Sequence, residues 1–326
     1  MTQEELSVGK VRIIATGGTI ANTEGGRVGI GQVLDDIRRQ HPGAGDSASS
    51  VSIEDIIREG AETFTPREWV TVGVAVDRAA ADPTVEGIVV THGTYTAEET
   101  AYFLHLTAHT AKPVVVVCSQ RKHATVGNDG DKNLVDAIRV ASSPEARGRG
   151  AMLLLNEEIH SARDVTKTNQ RPGGFRSNSY GILGSVEVDR VSFYRSPVRR
   201  HTADSEFVLP ADGALPRVDI VATYAGADGT AIDAFVEAGA RGIVVNGFSF
   251  SGKPHHLQLP ALRRAIEAGI SVVLANRGGD GRIPVETGEG FVRGDSLSAQ
   301  KARVLLALAL VEPRDQAELQ RIFDEY

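Results

Sequence analysis

The chain has a single cysteine, Cys118, among its 326 residues. A lone thiol excludes an internal disulfide framework and any multi-cysteine metal centre. It follows the apolar run Val114 to Val117, so it reads as a small buried side chain rather than a nucleophile. Positive charge is also short: the formal net charge is -7, which argues against nucleic acid or an anionic membrane as partner. Long hydrophobic runs are missing. The longest apolar helix candidate, Val304 to Val311, is too short to span a bilayer. The opening "MTQEELSVGK" has no apolar signal core, so a cytoplasmic location is expected. Phosphate signatures are absent too. No G-x-G-x-x-G occurs, and the GK pair Gly252-Lys253 is followed by Pro254 instead of Ser or Thr. His255-His256 has no third ligand at helical or hairpin spacing, so neither a metal nor a cofactor is expected.

What is present is an alternation of strands and helices. "VRIIA" (11–15), "EGIVVT" (86–91), "KPVVVVC" (112–118) and "AMLLLN" (151–156) are short, nearly continuous apolar runs, the pattern of strands buried on both faces of a parallel sheet. Helical periodicity fills the gaps at Glu68 to Ala81, Ala97 to Ala108 and Asn133 to Ala141. Trp69 falls in one of these helices and reads as core. Residues 196–216 lose periodicity and gather prolines, a linker signal. The alternation then restarts with "VDIVATY", "RGIVVNG" and "ISVVLAN". The expectation is α/β: two α/β domains in series, a larger, mostly parallel N-terminal sheet over 1–195 and a smaller parallel-sheet domain over 217–326.

Ligands of open α/β sheets bind outside the carboxyl ends of the strands, so the loops following strands are the places to look. "ATGGTIA" (15–21) puts two glycines and the Thr19 hydroxyl directly after the first strand; such glycines permit a sharp turn that bares backbone N–H groups. "HGTYT" (92–96) leads into a helix, with Thr96 and Glu99 spaced as a capping box. Thr94 and Tyr95 then stand where a helix N-terminus favours developing negative charge. "SARDVTKTN" (161–169) follows the strand 151–156 and carries Lys167, a lysine that burial would turn into a base. Each signal alone also fits a plain turn, a helix cap or a solvated lysine. Together, after three strands of one sheet, they describe a threonine hydroxyl activated by an amine.

At these residues the chain resembles the bacterial L-asparaginase family, the threonine amidohydrolases built on two α/β domains. "ATGGTIA", "THGTYTAEETAYFL", "DGDKNLVDAI", "RDVTKTN" and the tail "QKARVLLALAL…FDEY" match in order over nearly the whole chain. The resemblance implies that Thr19 is the nucleophile and that Thr94 and Lys167 move a proton. It also implies that the glycine-bearing loops, with Gly18 and Gly93, form the oxyanion hole. His92 belongs to the same loop pattern and is expected to make a scaffold hydrogen bond. Ser119 and Arg121 are minor candidates at the site. The implied partners are a small-molecule amide and further copies of the chain, as a homodimer or homotetramer.

Departures from the family pattern share a theme. Where the family has an aspartate that holds the substrate's α-ammonium, this chain has Tyr95. The family's serine and glutamine of "GSQD", which grip the α-carboxylate and α-amino group, align with Ala61 and Glu62. The short segment "ANTEGGRVGIG" lacks the family's loop tyrosine. The partner-subunit glutamate falls near Ile283-Pro284, with Glu286 close by, and an expected asparagine falls near Phe250. Losing the carboxylate partner of a buried ammonium costs about 2–5 kcal/mol, and a lost hydroxyl donor adds roughly 1–3 kcal/mol. The reading is therefore an amidohydrolase whose specificity is shifted away from L-asparagine, to an amide lacking the α-amino-acid head, with Tyr95 stacking on it or donating a hydrogen bond. Two alternatives stand beside it. One is an ordinary L-asparaginase or glutaminase in which Glu62 or Glu286 holds the ammonium. The other is an inactive homologue kept for binding a small molecule. The chain starts almost at its first strand, which disfavours the amidotransferase-type relative with an extra N-terminal domain.

Overall fold

The computed structural model describes residues 10–42, 50–58, 60–284 and 290–326. Glu286 therefore lies outside the described residues. The chain divides into two compact units whose border falls between Glu206 and Phe207, inside the stretch 196–216.

The first unit is built on an eight-stranded sheet. Its strands are β1 (Lys10–Ala15), β2 (Val51–Asp55), β3 (Val85–Thr91), β4 (Val114–Val117), β5 (Ala151–Leu155), β6 (Glu158–Ser161), β7 (Gly184–Val186) and β8 (Val191–Phe193). Their spatial order is β8-β7-β6-β5-β4-β3-β1-β2. The run from β5 to β2 is parallel and the other end is antiparallel. The valine and isoleucine runs explain the parallel part, since β4 and β5 are buried along their whole length. Side chains alternate between the two faces. Ile13, Val89, Val115 and Met152 stand in one cross-strand row and share a core with α1 (Ile30–Gln40) and α4 (Gly130–Ser142). Trp69 of α2 (Pro66–Ala81) stacks on Phe103 of α3 (Ala97–Thr107) with centroids 5.9 Å apart, and α2 and α3 pack on β3 and β5.

One feature of this order positions the site. β1 is flanked by β2 on one side and β3 on the other, so the chain reverses its direction of travel across the sheet between β1 and β3. Ligands of open α/β sheets bind in the crevice at such a reversal, and here the crevice receives the loops after β1 and β3.

The second unit has a four-stranded, wholly parallel sheet of β9 (Val218–Ala222), β10 (Gly242–Gly247), β11 (Ser271–Asn276) and β12 (Phe291–Arg293), in that order. The helices α5 (Thr230–Glu237), α6 (Leu259–Glu267), α7 (Ala299–Ala309) and α8 (Gln316–Glu325) accompany it. The expected class, two α/β domains with a mostly parallel first sheet and a parallel second one, is what the structure has.

Two local expectations need correction. Lys167 does not follow directly from β5. Asn156 and Glu157 adopt left-handed conformations (φ 53° and 66°), making a tight turn into the antiparallel β6, and Lys167 comes only after β6. The Thr96/Glu99 capping box is not formed either: Thr96 makes no side-chain cap bond and its Oγ1 donates to the Ala61 carbonyl at 3.1 Å. The capping box sits one helix earlier. Thr65 Oγ1 accepts from the Arg67 N–H at 3.2 Å, and Glu68 accepts from the Thr65 N–H at 2.7 Å. Thr65→Ala is therefore expected to cost about 1 kcal/mol, read as a lower urea midpoint at unchanged m-value.

Candidate active site

Three loops of the first unit converge at the strand reversal. Thr16, at the end of β1, donates from Oγ1 to the Thr91 carbonyl of β3 at 2.6 Å, holding the two strand ends together. Beyond it Gly18 has φ +93°, and a Cβ built there would lie 2.5 Å from the carbonyl carbon and oxygen of His92. Only glycine fits such an approach. Gly93 has a similar neighbour in the third loop: a Cβ on it would lie 2.5 Å from that of Ala61. The loops 16–21, 91–96 and 60–64 are thus stacked through missing side chains.

His92 holds the middle loop from beneath. It is fully buried, its Nδ1 lies 2.8 Å from the Gly93 carbonyl, its Nε2 lies 2.9 Å from Thr100 Oγ1, and Phe64 meets its ring edge-on at 4.5 Å. This network suits a neutral ring that donates from Nδ1 and accepts at Nε2. Both nitrogens are engaged, as a scaffold role requires.

Lys167 arrives on a two-stranded hairpin in which it pairs with the buried Phe175. Its backbone N–H donates to Glu98 of α3 at 2.9 Å, and its Nζ donates to Thr94 Oγ1 at 2.7 Å. The Tyr95 ring lies beside the ammonium, 5.1 Å from Nζ to the centroid. Among the described residues no carboxylate forms an ion pair with that Nζ. Burial lowers the affinity of Lys167 for its proton below the usual lysine range, and the nearby negative charge of Glu98 opposes this only in part. Cys118 is wholly buried and its thiol is pushed up by that burial, so the bland reading of the cysteine stands.

These loops enclose a cleft of ≈ 370 Å³. Gly18, Thr19, Ala61, Glu62, Gly93, Thr94, Tyr95 and Lys167 all line it. Of the sequence candidates, Ser119 and Arg121 do not. Ser119 is buried with its Oγ turned to the Arg121 carbonyl at 2.9 Å, and Arg121 donates from Nη1 to the Gly127 carbonyl at 2.6 Å. The neighbouring Gln120 lines the cleft instead, donating from Nε2 to the Asn169 carbonyl at 3.2 Å. Sequence reasoning also missed Asn22, Arg27 and Gln170 on the same wall. The short hairpin Asn22–Thr23/Gly26–Arg27 carries the first two, and its Glu24-Gly25-Gly26 turn was the available signal. Thr94 is only 7 % exposed while Tyr95 is 72 % exposed: the first is a packed hydroxyl under the cleft, the second an open aromatic wall. Thr19 Oγ1 has no hydrogen-bond partner among the described residues. The described residues contain no cluster of three or more His, Cys, Asp or Glu arranged to hold a metal ion, and no helix among them is long and apolar enough to cross a membrane.

Comparison with known proteins agrees with this architecture. Residues 10–199 match the family described as "Asparaginase, N-terminal" and residues 217–323 the "Glutaminase/Asparaginase C-terminal domain". The chain is 36% identical to "L-asparaginase 2" of Bacillus subtilis, covering 99% of this chain and 88% of that protein. It is 37% identical to a "Glutaminase-asparaginase" of Pseudomonas aeruginosa, covering 99% and 92%. A crystal structure of a "Probable Cytoplasmic L-asparaginase" from Campylobacter jejuni is similar with a TM-score of 0.91 at 34% identity, covering 98% of this chain and all of that one.

The buried ring makes stability depend on pH. Burial drops the His92 pKa from 6.5 to about 4. Above pH 6.5 the ring is neutral in both folded and unfolded chains and contributes no pH dependence. Below it the unfolded chain takes up a proton that the folded chain refuses until about pH 4. Stability is therefore expected to fall by about 3 kcal/mol as pH drops through this window, and to level off below it. Melting temperatures measured across pH 4–7 should show this slope, and His92→Gln should flatten it whatever the variant's own stability.

Proposed function

The chain belongs to the asparaginase family of amidohydrolases, and on that premise we propose that it hydrolyses a carboxamide whose acyl part lacks the α-amino-acid head. The observation that carries this reading is the environment of Lys167. Its Nζ bonds Thr94 Oγ1 and faces the Tyr95 ring. Among the described residues no carboxylate forms an ion pair with it: Glu98 accepts from the Lys167 backbone N–H, and Glu62 is the one acid that lines the cleft. Ala61 offers no side-chain donor for an α-carboxylate on the same wall.

The chemistry needs no such head. Lys167, its proton affinity lowered by burial, accepts a proton through Thr94 in its neutral form. A threonine hydroxyl, assigned to Thr19 because it lines the cleft and its Oγ1 has no hydrogen-bond partner among the described residues, loses its proton and attacks the amide carbon. The C–O bond forms, the carbonyl oxygen takes the negative charge, and backbone N–H groups of the glycine loops stabilise it. The proton returns to the leaving nitrogen as the C–N bond breaks. Water then cleaves the acyl ester by the same route, giving a carboxylic acid and ammonia or an amine. A cytoplasmic location, as named for the Campylobacter relative, and a homodimeric or homotetrameric assembly belong to the same proposal.

Ammonia release from L-asparagine, L-glutamine and a panel of neutral and aromatic primary amides tests it. Headless amides are expected to be turned over in preference to asparagine, and Thr19→Ala should remove at least ~10³-fold of that rate. Asparagine as the preferred substrate would restore the ordinary-asparaginase reading. Retained ligand binding with no turnover of any amide would support a binding protein.

Tyr95→Asp makes a second, independent test. A carboxylate beside Lys167 stabilises the ammonium, so the acidic limb of the kcat/KM profile, where the amine must lose its proton, should move to higher pH. The same change should raise the ratio of asparagine to headless-amide turnover by at least ~10-fold.

A further inference from the structure

A second cleft, of ≈ 380 Å³, adjoins the catalytic one. Gly17 lines it while the next two residues, Gly18 and Thr19, line the catalytic cleft. Arg27 lines both. Ala15, Ala21, Val28, Ile30 and Ile57 give it an apolar side, and Asp55 and Arg58 line it as well. Its one acid, Asp55, is paired with Arg58 at 3.0 Å.

Arg27 is held and yet unspent. The hairpin that carries it is closed by Thr23 Oγ1 donating to the Gly26 carbonyl at 2.8 Å and by the Val28 N–H donating to the Ala21 carbonyl at 2.8 Å. Its Nε donates to Asn22 Oδ1 at 3.1 Å. Its two Nη groups have neither a hydrogen bond nor an ion pair among the described residues. A guanidinium fixed at one edge, with its fork free and open to a ligand cleft, suits a carboxylate. The first turn of α1, which begins at the cleft-lining Ile30, has no side-chain cap and no acidic residue, so nothing there opposes an anion.

We infer that the second cleft is an acyl subsite and that the substrate is the monoamide of a dicarboxylic acid. Its carboxamide sits at Thr19, its apolar spacer lies along the second cleft and its far carboxylate is gripped by Arg27. This inference rests on the headless-amide reading and gives that substrate a charge. The carboxylate is taken by Arg27, on the hairpin wall, instead of at the positions of Ala61 and Tyr95.

Three amides of similar length test it: adipamate with a terminal carboxylate, hexanamide with a methyl, and 6-aminohexanamide with an ammonium. The wild-type protein should favour adipamate over hexanamide in kcat/KM by at least ~10-fold. Arg27→Gln should bring that ratio close to one, and Arg27→Glu should turn the preference toward 6-aminohexanamide. If Arg27→Gln lowers both amides in the same proportion, the arginine only braces Asn22 and the hairpin, and the inference fails. It fails equally if the wild type shows no preference, or if free acetate stimulates hexanamide turnover through Arg27, since the anion would then be a separate effector. L-Asparagine in the same assay keeps the two readings apart. Preferred turnover of asparagine sinks the headless-amide reading, while the Arg27→Gln ratio still judges the arginine.

Discussion

The site depends on one close contact between backbones. β1 and β3 are neighbours in a parallel sheet, yet the loops leaving them must turn away over opposite sides of it. They can stay together beyond the strand ends only because Gly18 has no side chain to strike the His92 carbonyl. Thr16 ties the strands just before this point, and His92 braces the second loop from below through Gly93 and Thr100. With that approach secured, Thr19 and Thr94 face one cleft from two different strands. A side chain at position 18 would wedge the loops apart, and no rearrangement of Lys167 could compensate, because its partner Thr94 rides on the displaced loop.

Electrostatics follow from this geometry. Lys167 is anchored twice, by its backbone on Glu98 and by its Nζ on Thr94. The acid therefore positions the lysine's backbone without ion-pairing with its ammonium. An amine held in this way is fixed in space while its proton affinity is lowered, since burial disfavours the ammonium and an aromatic face returns only part of what water supplied. A carboxylate at the position of Tyr95 would fix both. The tyrosine trades stabilisation of the ammonium for a more available base, which fits a site that recognises its substrate elsewhere.

Much of this was legible in the sequence, and the parts that were not share a cause. Continuous valine and isoleucine runs announce buried parallel strands, and glycines and threonines directly after two of them announce the loops. Both signals are local, and both held. The route to Lys167 was not local. It depends on Asn156 and Glu157 taking left-handed conformations, which neither residue demands, so the antiparallel β6 hid behind an apparently simple strand-to-loop step. Thr96 shows the same limit in reverse. Its spacing to Glu99 is right for a capping box, but the carbonyl of Ala61, 35 residues away in the chain, competes for the hydroxyl and wins. Ser119 lies one residue from the cleft-lining Gln120, a difference that strand alternation settles only once the strand's end is known. Arg27 carried no signal beyond a glycine-rich turn, because only the folded chain shows that it lines two clefts.

Tyr95 connects these threads. It is 72 % exposed, an unusual condition for so large a side chain beside a packed hydroxyl. One face of its ring looks toward the Lys167 ammonium at 5.1 Å, and the ring as a whole forms part of the cleft wall. A ligand that covers this ring removes water from the ring and from the Lys167–Thr94 pair together. Removing water strengthens the hydrogen bond and further disfavours the charged amine. In the proposed reaction ligand cover and base strength are coupled through a single residue: a substrate that shields this ring from water also prepares the amine that must accept the proton. An aspartate in that place would recognise through charge and hold the lysine protonated, so recognition and activation would pull in opposite directions. With tyrosine they pull together, provided the substrate brings no ammonium of its own.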